Sequence, residues 1–277
     1  MRPTLPPCLA LLLAATLASA TGAQTPAGEL TGSAWRHTAG SARNAVDQAS
    51  VGLPASVTGA AVYVGKLAAA PREARARVPV VLFLHGSSGL GLAAIAEWQA
   101  WLAGLGIASL APDSMGLPDR INYKSPIDKA NYERVHALRG SEIGLGTDAL
   151  RGLPWADPAR TVLAGTSEGA VAVARDTGAW AGRMVFSWSC EDNYFVEQHR
   201  TAAIAEPVLN VISVTDPFFS PANPWLGQPQ AAGHCGVALK AHKAATVVLV
   251  PGAPHTLLNL PQVRLVSRAW LLDLLKP

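Results

Sequence analysis

The chain has 277 residues, 49% of them hydrophobic and only 15% charged, with 22 basic against 19 acidic residues and a formal net charge of +3. A balance so near neutral, without clusters of Lys and Arg, argues against nucleic-acid binding through phosphates, and the apolar content argues against disorder. The length provides core enough for one large domain or two small ones, and three cysteines are too few for a disulfide-built scaffold.

Arg2 precedes an apolar run from Cys8 to Leu17, followed by the small residues Ala18-Ser19-Ala20 and Thr21-Gly22-Ala23. A positive start, a short apolar stretch and small residues before a cleavage point predict a secretory signal peptide over residues 1–23. The run is too short to span a bilayer comfortably. Cleavage after Ala20 or Ala23 leaves a mature domain from about residue 24 to 277 with two cysteines, Cys190 and Cys235. Export predicts that these two form a disulfide rather than remain free thiols. It also predicts a secreted or periplasmic location. No later stretch of 18 or more apolar residues occurs, so no stable membrane anchoring is expected.

Residues 21–56 are rich in Ala, Gly, Ser and Thr with little periodicity, and read as a loosely structured lead-in. Val62 to Val64 reads as a short leading strand. Val78 to Leu84 is a near-continuous apolar run ending in His85-Gly86, which suits a strand buried on both faces of a parallel sheet. Ala93 to Leu105 reads as a helix with Trp98, Trp101, Leu102 and Leu105 on one face. Gly106 to Ala111 reads as a strand ending at Pro112-Asp113-Ser114, followed by a polar loop to about Ser125. Asn131 to Leu150 is helical in pattern, with interruptions expected at Gly140 and Gly144. The strand Thr161 to Ala164 leads into a helix from Glu168 to Arg175. Strands follow at Arg183–Trp188, Val208–Val214 and Thr246–Val250, then a last helix, Gln262 to Leu275, striped by Val263, Val266, Trp270 and Leu274. This alternation predicts a single α/β domain with a mainly parallel central sheet and helices on both faces.

Gly165-Thr166-Ser167-Glu168-Gly169 fits G-x-S-x-G at a strand-to-helix turn, the setting a nucleophile elbow requires. The turn is sharp, so its flanking positions must be small. The motif alone fits equally an inert serine in a glycine-lined turn. A serine hydroxyl needs a base and an orienting acid to act at neutral pH. Asp216 follows the strand Val208–Val214, and His255 follows Thr246–Val250, in the order Ser, Asp, His. Side chains at carboxyl ends of parallel strands can converge. Singly, Asp216 also reads as a turn residue before Pro217, and His255 as a loop histidine.

Acyl transfer also needs donors aimed at the tetrahedral oxyanion. The backbone N–H of Glu168 is the expected first donor. The second is expected from His85-Gly86-Ser87-Ser88-Gly89, at the N–H of Ser87 with Ser88 as the close alternative. His85 reads as a structural hydrogen-bonding residue. The Glu168 carboxylate is either solvated or buried against Arg or Lys.

These segments resemble the α/β-hydrolase superfamily over roughly residues 60–277, and Ala111-Pro112-Asp113-Ser114-Met115-Gly116 looks like a strand-end segment of its dienelactone hydrolase group. The resemblance implies the α/β-hydrolase fold without a large lid domain. It implies cleavage of carboxylic esters through an acyl-enzyme, with Ser167 as nucleophile, His255 as base and Asp216 as acid, and no cofactor. The chain departs from that group's pattern in carrying Ser, not Cys, at the nucleophile position, which favours a general esterase over a lactonase.

Further readings concern the pocket. Ser88, Met115, Trp188, Phe218 and Phe219 are candidate substrate contacts, and Tyr194 also follows a strand end. The loop from Asp216 to Ala244 carries Phe218, Phe219, Pro224, Trp225 and Pro229, which either wall an apolar pocket or fold over one another. His234, Cys235 and His242 match no common zinc spacing, so no metal is expected. The expected partner is a small-molecule ester. The different readings are an amidase or peptidase with the same three residues, or a non-catalytic ligand-binding member of the fold.

Overall fold

The structure, a computed structural model, describes residues 28–199, 201, 205–221, 223 and 230–276. The expected signal peptide, and Pro224, Trp225 and Pro229 of the aromatic loop, lie outside the described residues. In chain order the elements are β1 (Glu29–Thr31), α1 (Ala39–Asp47), β2 (Ser50–Leu53), α2 (Ala55–Thr58), β3 (Tyr63–Lys66), β4 (Val78–Leu84), α3 (Ala93–Gly104), β5 (Ala108–Ala111), β6 (Asn122–Lys124) and α4 (Lys129–Arg151). There follow β7 (Ala156–Thr166), α5 (Glu168–Arg175), β8 (Gly182–Phe186), β9 (Val208–Ser213), β10 (Ala245–Val250) and α6 (Pro261–Leu274).

Eight strands form one sheet in the order β10-β9-β8-β7-β4-β5-β2-β3, and β1 and β6 form a separate antiparallel pair. Every pairing from β10 through β5 is parallel, while β2 runs antiparallel to both β5 and β3. The alternation within β4 shows why its sequence is apolar throughout. Val80, Leu82 and Leu84 pack on one face with Ile143 and Leu150 of α4 and the alanines and valines of α5. Val81 and Phe83 pack on the other with Trp98 and Leu102 of α3 and Val263 and Leu271 of α6. The sheet is therefore covered on both faces, as expected of parallel strands. Among the described residues there is no lid domain, and no helix is long and apolar enough to cross a membrane.

Two expectations are corrected. Residues 28–56 are not a loose lead-in: they supply β1, α1, β2 and the start of α2. Helix α1 starts at a reciprocal cap between Thr38 and Ser41 and buries only Ser41 and Ala45, so its small residues leave no apolar stripe to read. Strand β2 needs a small residue at Gly52, where a Cβ would lie 2.8 Å from the Gln99 carbonyl oxygen. Helix α4 is likewise unbroken at Gly140 and Gly144. Its Gly146 lets it settle on the sheet, since a Cβ there would sit 2.4 Å from Leu82 Cδ1.

Candidate active site

Register brings the site together. Leu84 of β4 pairs opposite Gly165 of β7, so the loop after β4 and the turn after β7 leave the sheet side by side. Ser213 of β9 pairs opposite Val250 of β10, which does the same for the segments bearing Asp216 and His255.

Ser167 sits between β7 and α5 with φ 53° and ψ −122°, a conformation that costs a non-glycine residue of order 1–3 kcal/mol. Crowding explains the glycines two positions to either side. A Cβ at Gly165 would lie 2.7 Å from the Gly169 carbonyl oxygen, and one at Gly169 would lie 2.3 Å from that of Leu84. Ser167 Oγ stands 2.9 Å from His255 Nε2, and His255 Nδ1 stands 2.7 Å from Asp216 Oδ2. With the Nδ1 proton donated to the carboxylate, Nε2 is free to accept from the serine hydroxyl. This is the geometry that general-base activation of a hydroxyl requires.

The supporting contacts hold these groups from behind. Asp216 is fully buried, and its other oxygen, Oδ1, accepts the backbone N–H groups of Phe218 (2.9 Å) and Phe219 (3.2 Å). Two buried serine hydroxyls clamp the histidine loop: Ser187 Oγ donates to the His255 carbonyl and Ser213 Oγ to that of Ala253, each at 2.6 Å. Cys190 and Cys235 are disulfide-bonded, which ties the segment after β8 to the segment before β10. The bond also removes Cys235 as a thiolate ligand, and among the described residues no group of three His, Cys, Asp or Glu is placed to hold a metal.

The loop after β4 presses on the nucleophile turn, since a Cβ at Gly86 would lie 3.3 Å from Ser167 Cβ. His85 organises it. Its Nε2 accepts the Ser114 N–H at 3.1 Å, so Nδ1 carries the proton and donates to the Gly86 carbonyl at 2.6 Å. Burial first, and the Arg139 guanidinium second, push the His85 pKa down to about 3, so the ring is neutral. Because a peptide unit is planar and trans, holding the Gly86 carbonyl also aims the Ser87 N–H, on the opposite edge of the same plane.

A cavity of about 400 Å³ opens over Ser167. Ser87, Ser88 and Phe218 line it, together with Tyr123 and Phe195. The Phe218 ring also meets the His255 ring edge-on at 4.7 Å. Three expected contacts are not among the residues that line this cavity. Trp188 and Phe219 are buried in the core, packed edge-on at 5.0 Å. Positive φ at Ser187 (51°) turns the chain off the end of β8 just before Trp188. Met115 lies in a short 3-10 turn and packs over Gly89. Tyr123 and Phe195 were missed because one sits in a stretch that reads as polar loop and the other in a segment without periodicity.

The Glu168 carboxylate is buried against arginines, not solvated. It lies 2.7 Å from Arg120 Nη2 and 3.4 Å from Arg139 Nε, and accepts the Tyr123 hydroxyl at 2.8 Å. Arg139 also pairs with Glu142 at 2.6 Å, and Glu142 meets His37 at 3.2 Å. Burial pushes the Glu168 carboxyl up, but Arg120, Arg139 and the Tyr123 hydroxyl outweigh it and leave the pKa below the usual carboxylate value. Glu142 is lowered in the same way, with Arg139 the main opposing influence to burial.

These shifts give stability a definite pH dependence. The unfolded chain protonates His85 below its ordinary value of 6.5, whereas the folded chain does not until about pH 3, so folding loses free energy as pH falls through that window. The depressed Glu142 and Glu168 contribute stability above the ordinary value of 4.5 and lose it as pH falls through their lower folded values. The melting temperature is therefore expected to decline from about pH 6.5 downward and more steeply below about pH 4.5, measured by thermal denaturation. A melting temperature constant down to that second point contradicts this assignment.

No family model matches the chain, and no curated protein matches it by sequence. Solved structures do match it. A dienelactone hydrolase-like promiscuous phosphotriesterase from metagenomic libraries aligns over 82% of this chain and 98% of its own, at TM-score 0.52 and 18% identity. A cold-adapted esterase from an Arctic intertidal metagenomic library aligns over 83% and 95%, at TM-score 0.51 and 18% identity. A puromycin-hydrolysing peptidase of Mycobacterium tuberculosis aligns over 82% of this chain and 37% of its own, at TM-score 0.53 and 16% identity. The fold is thus the α/β-hydrolase fold, as found in dienelactone hydrolase-like proteins.

Proposed function

We propose that the protein is an exported serine hydrolase that cleaves carboxylic esters of small molecules. The observation that carries this reading is the unbroken line from Asp216 through His255 to Ser167, at 2.7 and 2.9 Å. Ser167 Oγ attacks the ester carbonyl while His255 Nε2 takes its proton, and Asp216 stabilises the imidazolium that results. The N–H groups of Ser87 and Glu168 receive the oxyanion. His255 then protonates the departing alcohol, leaving an acyl-enzyme on Ser167. Water, deprotonated by His255, attacks the acyl group; the bond to Ser167 Oγ breaks as His255 returns that proton to it, and the carboxylic acid leaves. The apolar cavity walls at Leu92, Ile95 and Leu258 favour an uncharged substrate. Residues 1–23 serve as a signal peptide and residues 24–277 as one domain. The Cys190–Cys235 disulfide fits an oxidising compartment.

A fluorophosphonate probe and a short-chain chromogenic ester test the reading. The wild type is expected to be labelled and to turn the ester over, and the Ser167→Ala variant to do neither. Equal labelling and turnover in both overturns the mechanism. Labelling without ester turnover redirects the reading to amide or peptide hydrolysis.

A further inference from the structure

The residue that follows the nucleophile candidate is a buried carboxylate, costly to desolvate and worth little net stability even when paired. Its contacts suggest another use, because they join three sides of the cavity. Glu168 belongs to the nucleophile turn itself. Through Arg139, whose Nη2 donates to the His85 carbonyl at 2.8 Å, it is linked to the loop bearing Ser87. Through Tyr123 it reaches the cavity wall directly, at 2.8 Å. Arg120 braces that wall: besides Glu168 it donates to Ser114 Oγ and to the Ile121 carbonyl, both at 2.8 Å, and so shapes the chain entering β6. The Tyr123 ring is backed edge-on by Tyr132 at 5.2 Å. Burial, then the neighbouring Glu168, push the Tyr123 pKa well up, so the phenol keeps its proton and is the donor in this bond.

On the esterase reading above, we propose that Tyr123 is the wall that sets how large an acyl group the cavity admits, and that Glu168 is the positioning residue that holds it there. Tyr132 backs the ring, and the ring lines the cavity. Its hydroxyl is the tether that fixes its tilt. Without the tether the ring can swing from the cavity and lengthen the space beside Ser167.

The test compares p-nitrophenyl acetate with p-nitrophenyl octanoate for the wild type, Tyr123→Phe, Glu168→Gln and the double variant. Tyr123→Phe keeps the ring and removes only the tether. Its octanoate-to-acetate ratio of kcat/KM is expected to rise about 10-fold, mainly through KM for octanoate. Its melting temperature is expected to fall by about 3–10 °C, the cost of one hydrogen bond to a buried carboxylate, with the fold kept. Glu168→Gln must keep its oxygen toward Arg120 and Arg139 and turn its NH₂ to the Tyr123 hydroxyl, so it weakens the tether without removing it. It is expected to shift the ratio the same way but by less, and the double variant no further than Tyr123→Phe, because both substitutions act on one contact. A purely structural role would lower both esters alike and leave the ratio unchanged. An unchanged ratio in Tyr123→Phe, or shifts that multiply in the double variant, overturns the proposal. If Glu168→Gln does not fold, the Tyr123→Phe ratio decides alone. Wild-type protein without Ser167-dependent turnover removes the esterase reading, and this proposal with it.

Discussion

Replacing Asp216 by asparagine is expected to lower kcat for ester hydrolysis about 10⁴-fold with little change in folding. The reason lies in the second oxygen. Asp216 Oδ1 already accepts two backbone N–H groups, from Phe218 and Phe219. An asparagine must keep its oxygen on that side, because an amide NH₂ there would face two donors. Its NH₂ then points at His255 Nδ1 and donates to it. The imidazole is forced into the tautomer with its proton on Nε2, directed at Ser167 Oγ, and cannot act as base. Steady-state kinetics with a short-chain ester, beside circular dichroism of the same sample, measure the effect. A loss smaller than about 10-fold would show that the Asp216–His255 contact does not set the tautomer.

The second large effect is on stability. Arg139 is fully buried and faces Glu142 and Glu168. Arg139→Met leaves a carboxylate pair in the core with one counter-charge fewer, and breaking a buried pair in this way costs about 3–5 kcal/mol. For a domain of this size the expected fall in melting temperature is about 10 °C. The cost comes from the stranded charge more than from the lost attraction. Arg139→Met combined with Glu142→Gln is therefore expected to recover part of the loss. Thermal unfolding of the single and double variants checks both statements. A single variant that melts within about 2 °C of the wild type would mean that the cluster is hydrated and not a buried ion network.

The parallel strands were legible because burial on both faces writes itself as a run such as Val78 to Leu84, and because the residues at the strand exits must follow such runs. Ser167, Asp216 and His255 stood out for that reason, and their side chains do meet. What could not be read depended on partners far along the chain. Arg120 and Glu168 are 48 positions apart, and nothing local to either announces the other. Tyr123 reads as part of a polar loop because its neighbours in β6 are Asn122 and Lys124, which point away from it. Trp188 looked like a substrate contact by its place after β8, but one positive φ at Ser187 sends it into the core. Helix α1 was hidden by its small side chains, and strand β2 by its shortness, since Val51 and Leu53 are its only large apolar residues.

The strand order has a consequence for how the site fails. Ser167 and the Ser87 loop leave β7 and β4, in the middle of the sheet, whereas Asp216 and His255 leave β9 and β10, at its margin. Margins open by local fluctuation far more often than centres do. Excursions of β10 would carry His255 away from Ser167 while leaving Ser167 and the Ser87 loop in place. The Cys190–Cys235 bond and the two serine clamps all fall on this marginal half. They are placed to restrain fraying there and so to keep His255 beside Ser167.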